Sequence, residues 1–114
     1  MQGLQKLNVA FYRTEAGNEP VRDWLRALTA SDRKAIGDDI RTLQFGWLLG
    51  MPLVEKLDAG LWVRTRLDGR IARVIFSIQG EQAVLLHGFI KKSRRISKAD
   101  MEAAKSRFRQ LAGR

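Results

Sequence analysis

LWVRTRLDGRIARVIFSI, residues 61–78, is the stretch that decides the fold. Leu61, Val63, Thr65 and Leu67 alternate with Trp62, Arg64 and Arg66. A period of two predicts a strand. Asp68-Gly69 then predicts a two-residue hairpin loop, because a type I′ turn needs positive φ and glycine tolerates it. A second strand follows from Arg70 to about Ile78. A two-residue loop sets Leu67 opposite Arg70, Arg66 opposite Ile71 and Arg64 opposite Arg73. Directly opposite residues share a face. One face then reads Leu61, Val63, Thr65, Leu67, Ala72, Val74 and Phe76, a core face. The other reads Trp62, Arg64, Arg66, Ile71, Arg73 and Ile75. Two arginines facing each other across a ladder repel. Such a pair is expected where a phosphate sits, since guanidinium groups grip phosphate oxygens in a bidentate fork and stay charged at any working pH.

Downstream, Gly80 and Glu81 mark a turn, and Ala83 to about Lys91 reads as a third strand rich in Val, Leu, Ile and Phe. It carries the chain's one histidine, His87. A two- or four-residue turn places His87 beside Val74 and Phe76. A three-residue turn with a bulge at Gly80 places it beside Ile75, on the arginine face. Lys91 shares the parity of His87, and the two alternatives stand open on sequence grounds. Ser97 opens a last helix with Asp100 in its first turn. Met101, Ala104, Phe108 and Leu111 form its apolar stripe, and Gly113 ends it.

Upstream, Leu7, Val9 and Phe11 alternate with Asn8, Ala10 and Tyr12 as a first strand. Gly17 and Asn18 belong to a turn. Pro20 suits a helix's first turn, and Val21, Trp24, Leu25 and Leu28 follow helical spacing. Ser31 is the expected cap of a second helix, with Ile36, Ile40, Leu43 and Trp47 as its stripe. Gly46 to Pro52 reads as a loop. The expectation is an α+β fold of order β-α-α-β-β-β-α. It consists of a small, antiparallel sheet with helices packed mainly on one face.

The length of 114 residues fits a single domain, residues 1–114, and 45% hydrophobic with 29% charged residues is ordinary for a globular chain. With no cysteine and one histidine, disulfides, thiolate chemistry and multi-histidine metal sites are excluded. No cofactor is expected. No apolar run approaches a membrane span of roughly 18–20 residues, and Met1 to Leu7 lacks the pattern of a secretion signal. A cytoplasmic protein with no membrane partner is the expectation.

The net charge is +9, unevenly distributed. Residues 1–57 carry 8 basic and 7 acidic side chains, and residues 58–114 carry 13 and 5. A positive half on a small domain is a footprint for polyanions. Its densest part is Lys91, Lys92, Arg94, Arg95 and Lys98, in a stretch without acidic residues from Gln82 through Ala99. That run favours contact with a nucleic-acid backbone.

Three segments together resemble one known family. They are Glu55-Lys56-Leu57-Asp58-Ala59-Gly60-Leu61-Trp62-Val63-Arg64, Asp68-Gly69-Arg70-Ile71-Ala72-Arg73-Val74 and Leu86-His87-Gly88-Phe89-Ile90-Lys91-Lys92-Ser93. They are similar to the RelE/ParE toxin superfamily, most closely its HigB-type, phage-derived branch. The resemblance implies a RelE-like fold and the toxin of a type II toxin–antitoxin pair. It implies a metal-independent endoribonuclease cutting mRNA on the ribosome, where the ribose 2′-OH attacks the adjacent phosphorus. A ParE-like inhibitor of DNA gyrase and a non-catalytic basic nucleic-acid-binding module are the alternatives. The implied partner is an antitoxin encoded beside the toxin, with a helix-turn-helix domain in HigA-type cases.

Carried onto this chain, the family mechanism assigns Arg73 and Arg64 to charge stabilisation and His87 or Lys91 to general acid–base work. Trp62 would stack a base. Lys92, Arg94, Arg95, Arg66 and Lys56 would hold RNA. Some relatives use a tyrosine near the C-terminus. The one tyrosine here is Tyr12, near the start of the chain.

Overall fold

The chain runs β1 (Asn8–Phe11), α1 (Pro20–Ala27), α2 (Ala30–Gly46), β2 (Val54–Asp58), β3 (Leu61–Asp68), β4 (Arg70–Gln79), β5 (Gln82–Lys91) and α3 (Lys98–Ala112). The computed structural model describes residues 7–46, 54–58, 61–68, 70–91 and 95–114. At some strand positions, Trp62, Arg64, Arg66 and Lys91 among them, it describes the backbone alone. The strands form one sheet in the order β1-β5-β4-β3-β2. β2 to β5 pair antiparallel, whereas β1 pairs parallel with β5. The fold is α+β, as expected, but the sheet is mixed and contains a strand, β2, that the sequence reading had not assigned.

Apolar residues occupy both faces of the sheet. On one face Ala72, Val74, Phe76, Ala83 and Leu85 pack with Val21 of α1 and with Ile36, Ile40 and Leu43 of α2. On the other, Leu61, Val63, Ile75, Val84, Leu86 and Phe89 pack with Tyr12 and with Ala104, Phe108 and Leu111 of α3. Two helices share one face and the third covers the other. Each fully buried Leu, Ile or Phe stabilises the fold by about 1.5–3 kcal/mol relative to exposure.

The helix ends follow local chemistry. Ser97 caps α3: its Oγ accepts from the Asp100 backbone N–H at 3.1 Å and donates to Asp100 Oδ2 at 2.7 Å. α1 begins at Pro20. At α2 the hydroxyl of Thr29, not that of Ser31, accepts from the Asp32 N–H at 3.1 Å. The helix therefore starts a residue or two earlier than a Ser31 cap implies. Gly46 is its last residue rather than the start of a loop. Trp47 and the remainder of the expected loop to Pro52 lie outside the described residues.

The β3–β4 register differs from expectation by one residue. The ladder pairs Asp68 with Arg70, Leu67 with Ile71, Arg66 with Ala72, Thr65 with Arg73 and Arg64 with Val74. Arg64 and Arg73 are therefore not a cross-strand pair. Position 64 falls on the α1/α2 face and Arg73 on the α3 face. The assumed two-residue loop at Asp68-Gly69 fails because the ladder runs one step further into the turn. A one-residue slip moves every position of one strand to the opposite face relative to its partner.

Candidate functional site

Among the described residues, Arg73 holds a buried side-chain nitrogen, Nε, without a hydrogen-bond partner. It lies mid-strand in β4, opposite Thr65 on one side and Phe89 on the other. Only 7% of its surface is exposed. A buried guanidinium is costly unless its charge and its donors are matched. An anion that accepts from this fork is the group such a site favours.

The β4–β5 ladder resolves the position of His87. The turn is the two-residue one, with Gln79 opposite Gln82. From there the register holds as far as Phe76 opposite Leu85, then shifts, so that His87 stands opposite Ile75, Phe89 opposite Arg73 and Lys91 opposite Ile71. Leu86 is the extra residue. A bulge within β5, rather than at Gly80, puts His87 on the Arg73 face. His87 and Phe89 lie with ring centroids 5.5 Å apart, tilted at 31°. The register places Lys91 two steps beyond Phe89 on the same side.

Both ring nitrogens of His87 are occupied. Arg107 Nη1 lies 3.1 Å from Nδ1, and Asp100 Oδ1 lies 2.7 Å from Nε2. Arginine only donates. Nδ1 therefore accepts, and Nε2 carries the proton and donates to Asp100. The same Arg107 Nη1 donates to the Leu86 carbonyl at 2.8 Å. Ser97 donates to the other oxygen of Asp100. Ser97, Asp100, His87 and Arg107 thus form one connected polar network between α3 and β5. Side-chain exposures are 18% for His87 and 16% for Asp100. Burial lowers the Arg107 pKa, and the nearby Tyr12 partly offsets this. The sequence marks Asp100 as a first-turn helix residue but not as a partner of His87, and Arg107 carries no mark of its own; their spacing of seven on α3 puts both on one helix face.

The remaining sequence-derived residues divide. Trp62, Arg64 and Arg66 sit at register positions opposite Phe76, Val74 and Ala72, on the α1/α2 face. Lys56 pairs with Trp62 and is exposed. None of these four positions shares the face of Arg73. Arg95, just after β5, is exposed. Lys92 and Arg94 lie outside the described residues. The structure brings Arg73 and His87 to one face, with the Lys91 position beside them, and sends Arg64 to the other.

A mixed sheet with helices on both faces, and a buried cation on one of them, defines a small α+β protein suited to an anionic ligand. The model of the family described as Phage derived protein Gp49-like (DUF891) matches residues 23–109. The chain belongs to this family, which falls within the RelE/toxin-like superfamily. Members are commonly toxin-like in toxin–antitoxin systems. The matched stretch includes Arg73, His87, Asp100 and Arg107 and omits β1. No curated protein matches the chain. Among the described residues no helix is long and apolar enough to cross a membrane.

Proposed function

We propose that this single-domain chain is the toxin of a type II toxin–antitoxin pair, of the HigB type, and that it cleaves mRNA on the ribosome without a metal. One observation carries the reading: Arg73 is buried, and its Nε has no hydrogen-bond partner among the described residues, in a chain of the Gp49-like family. A cleaved phosphodiester develops extra negative charge on its non-bridging oxygens as the ribose 2′-OH attacks phosphorus. A preorganised guanidinium in a water-poor site stabilises that charge strongly. The products are a 2′,3′-cyclic phosphate and a free 5′-OH. The proton leaves the attacking 2′-OH and another reaches the departing 5′ oxygen.

Lys91 is the residue we assign to this proton transfer. Its register position lies on the Arg73 face. His87 is a poorer acid–base group than its type implies, because both its nitrogens are engaged within the protein. Arg64 is not assigned as a second phosphate ligand, since its register position, opposite Val74, lies on the other side of the sheet. Arg95 and the flanking Lys92 and Arg94 supply a basic approach for RNA or ribosome. The partner is an antitoxin, of the helix-turn-helix HigA type, encoded in the neighbouring reading frame.

The test is induction of the wild type and of Arg73→Ala in cells, with mapping of transcript 5′ ends and assay of plasmid supercoiling. Codon-phased cuts that vanish in the variant are expected. Altered supercoiling with intact mRNA identifies gyrase as the target instead.

A further inference from the structure

The bulge at Leu86 decides what faces Arg73. Continued without it, the register set at Gln79 and Gln82 would bring Gly88 opposite Arg73 and His87 opposite Val74. With it, Phe89 stands opposite Arg73, and positions 87, 89 and 91 line the α3 face. A bulge leaves a residue outside the ladder, and both faces here are apolar. Hydrophobic burial alone therefore specifies this register weakly.

Arg107 supplies the missing specification from the α3 side. One nitrogen, Nη1, donates to the carbonyl of the bulged residue and to Nδ1 of the residue after it. Asp100, held by Ser97, accepts the hydrogen bond from Nε2–H, the other ring nitrogen. In the unshifted register His87 would move to the far face, and both Arg107 donors would lose their acceptors. We propose that Arg107 is a positioning residue that locks the Leu86 bulge, by holding His87 as its Nε2–H tautomer, and so sets the rank of residues presented to Arg73. This role concerns the register itself. Its effect on RNA cleavage rests on the proposed nuclease function.

The experiment uses the full chain labelled with ¹⁵N. His87 is the single histidine, so its ring signals are unambiguous. In the wild type at neutral pH, long-range proton–nitrogen spectra are expected to show an unprotonated Nδ1 and a protonated Nε2. Averaged or reversed nitrogens overturn the proposal without any variant. In Arg107→Met the ring signals are expected to leave the Nε2–H pattern and the amides of residues 85–91 to lose exchange protection. Cleavage is expected to fall about 100-fold, the scale of a misplacement of roughly 1 Å at a reacting centre. Arg107→Lys, which offers several N–H groups from one nitrogen, is expected to restore the ring pattern and most of the protection. Unchanged ring signals and protection in the methionine variant overturn the proposal. So does a lysine variant that folds and behaves like methionine. Should Arg73→Ala cleave RNA normally, the nuclease reading falls, while the ring and amide measurements still judge Arg107.

Discussion

Trp24 of α1 lies so close over Gly88 of β5 that a β-carbon at Gly88 would overlap the indole Cε3 and Cζ3. The indole occupies the room a side chain would need, and no side chain but hydrogen fits unless Trp24 shifts. Gly88 sits opposite Val74, on the α1/α2 face. β5 is thus held from both sides, by the indole on one face and by Arg107 on the other.

Gly88→Ala is therefore expected to lower stability by about 1–3 kcal/mol, the range for overpacking a filled site. Urea unfolding should show a lower midpoint. Combining it with Trp24→Leu should recover part of the loss, because the clash is removed. A cycle in which the two effects simply add would contradict the contact.

Arg73 should set stability against function. Arg73→Met replaces a buried guanidinium, with its unpartnered Nε, by an apolar chain of similar length. Leaving a buried donor unsatisfied costs about 1–3 kcal/mol, so this variant is expected to be more stable than wild type. Under the proposed nuclease function, cleavage is expected to fall by about 100- to 1000-fold, as for loss of one transition-state donor. A variant that loses activity and stability together would point to a structural arginine.

Tyr12 is expected to matter for stability and not for chemistry. Its ring is buried in the α3-side core, its hydroxyl donates to Gln110, and the Arg114 guanidinium lies 5.2 Å over the ring centroid. Tyr12→Phe should cost about 0.5–1.5 kcal/mol, the net value of one hydrogen bond. Message cleavage should be unchanged. Abolished cleavage in a folded variant would give Tyr12 the role that relatives assign to a C-terminal tyrosine.

Ser97 serves two partners. Ser97→Ala removes both the cap of α3 and the donor to Asp100. The expected loss is about 1 kcal/mol, as for other N-caps, read as a lowered thermal midpoint. Ser97→Gly is expected to cost less for the helix end, while still removing the Ser97 donor from Asp100. Equal stability of the alanine variant and wild type would contradict this network.

The sequence announces the ends of elements better than their faces. Ser97, Asp100 and Gly113 bracket α3 because capping chemistry is local, and Gly80-Glu81 marks its turn for the same reason. β2 escaped notice because Glu55 and Lys56 interrupt any apolar alternation on an exposed edge strand. The β3–β4 register departs from the expected one for a different reason. In β4, Ala72, Val74 and Phe76 are buried on one face while Ile75 is buried on the other. A strand apolar on both faces carries no parity signal, so the turn alone set the register, and the turn was one step off. The same is true of β5, where Leu85 and Leu86 are buried on opposite sides of the sheet. His87 could be placed only by contacts with α3, a distant part of the chain. Arg73 remained legible as a residue, but its isolation from Arg64 did not.

The parallel pairing of β1 with β5 carries a consequence for how the molecule comes into being. Residues 8–11 find their sheet partners in residues 82–85, far along the chain. Closing so distant a pair forfeits much chain entropy before any contact rewards it. The first strand is therefore expected to dock late, after the hairpins have formed. A nascent chain halted short of residue 82 should show no amide protection at residues 8–11.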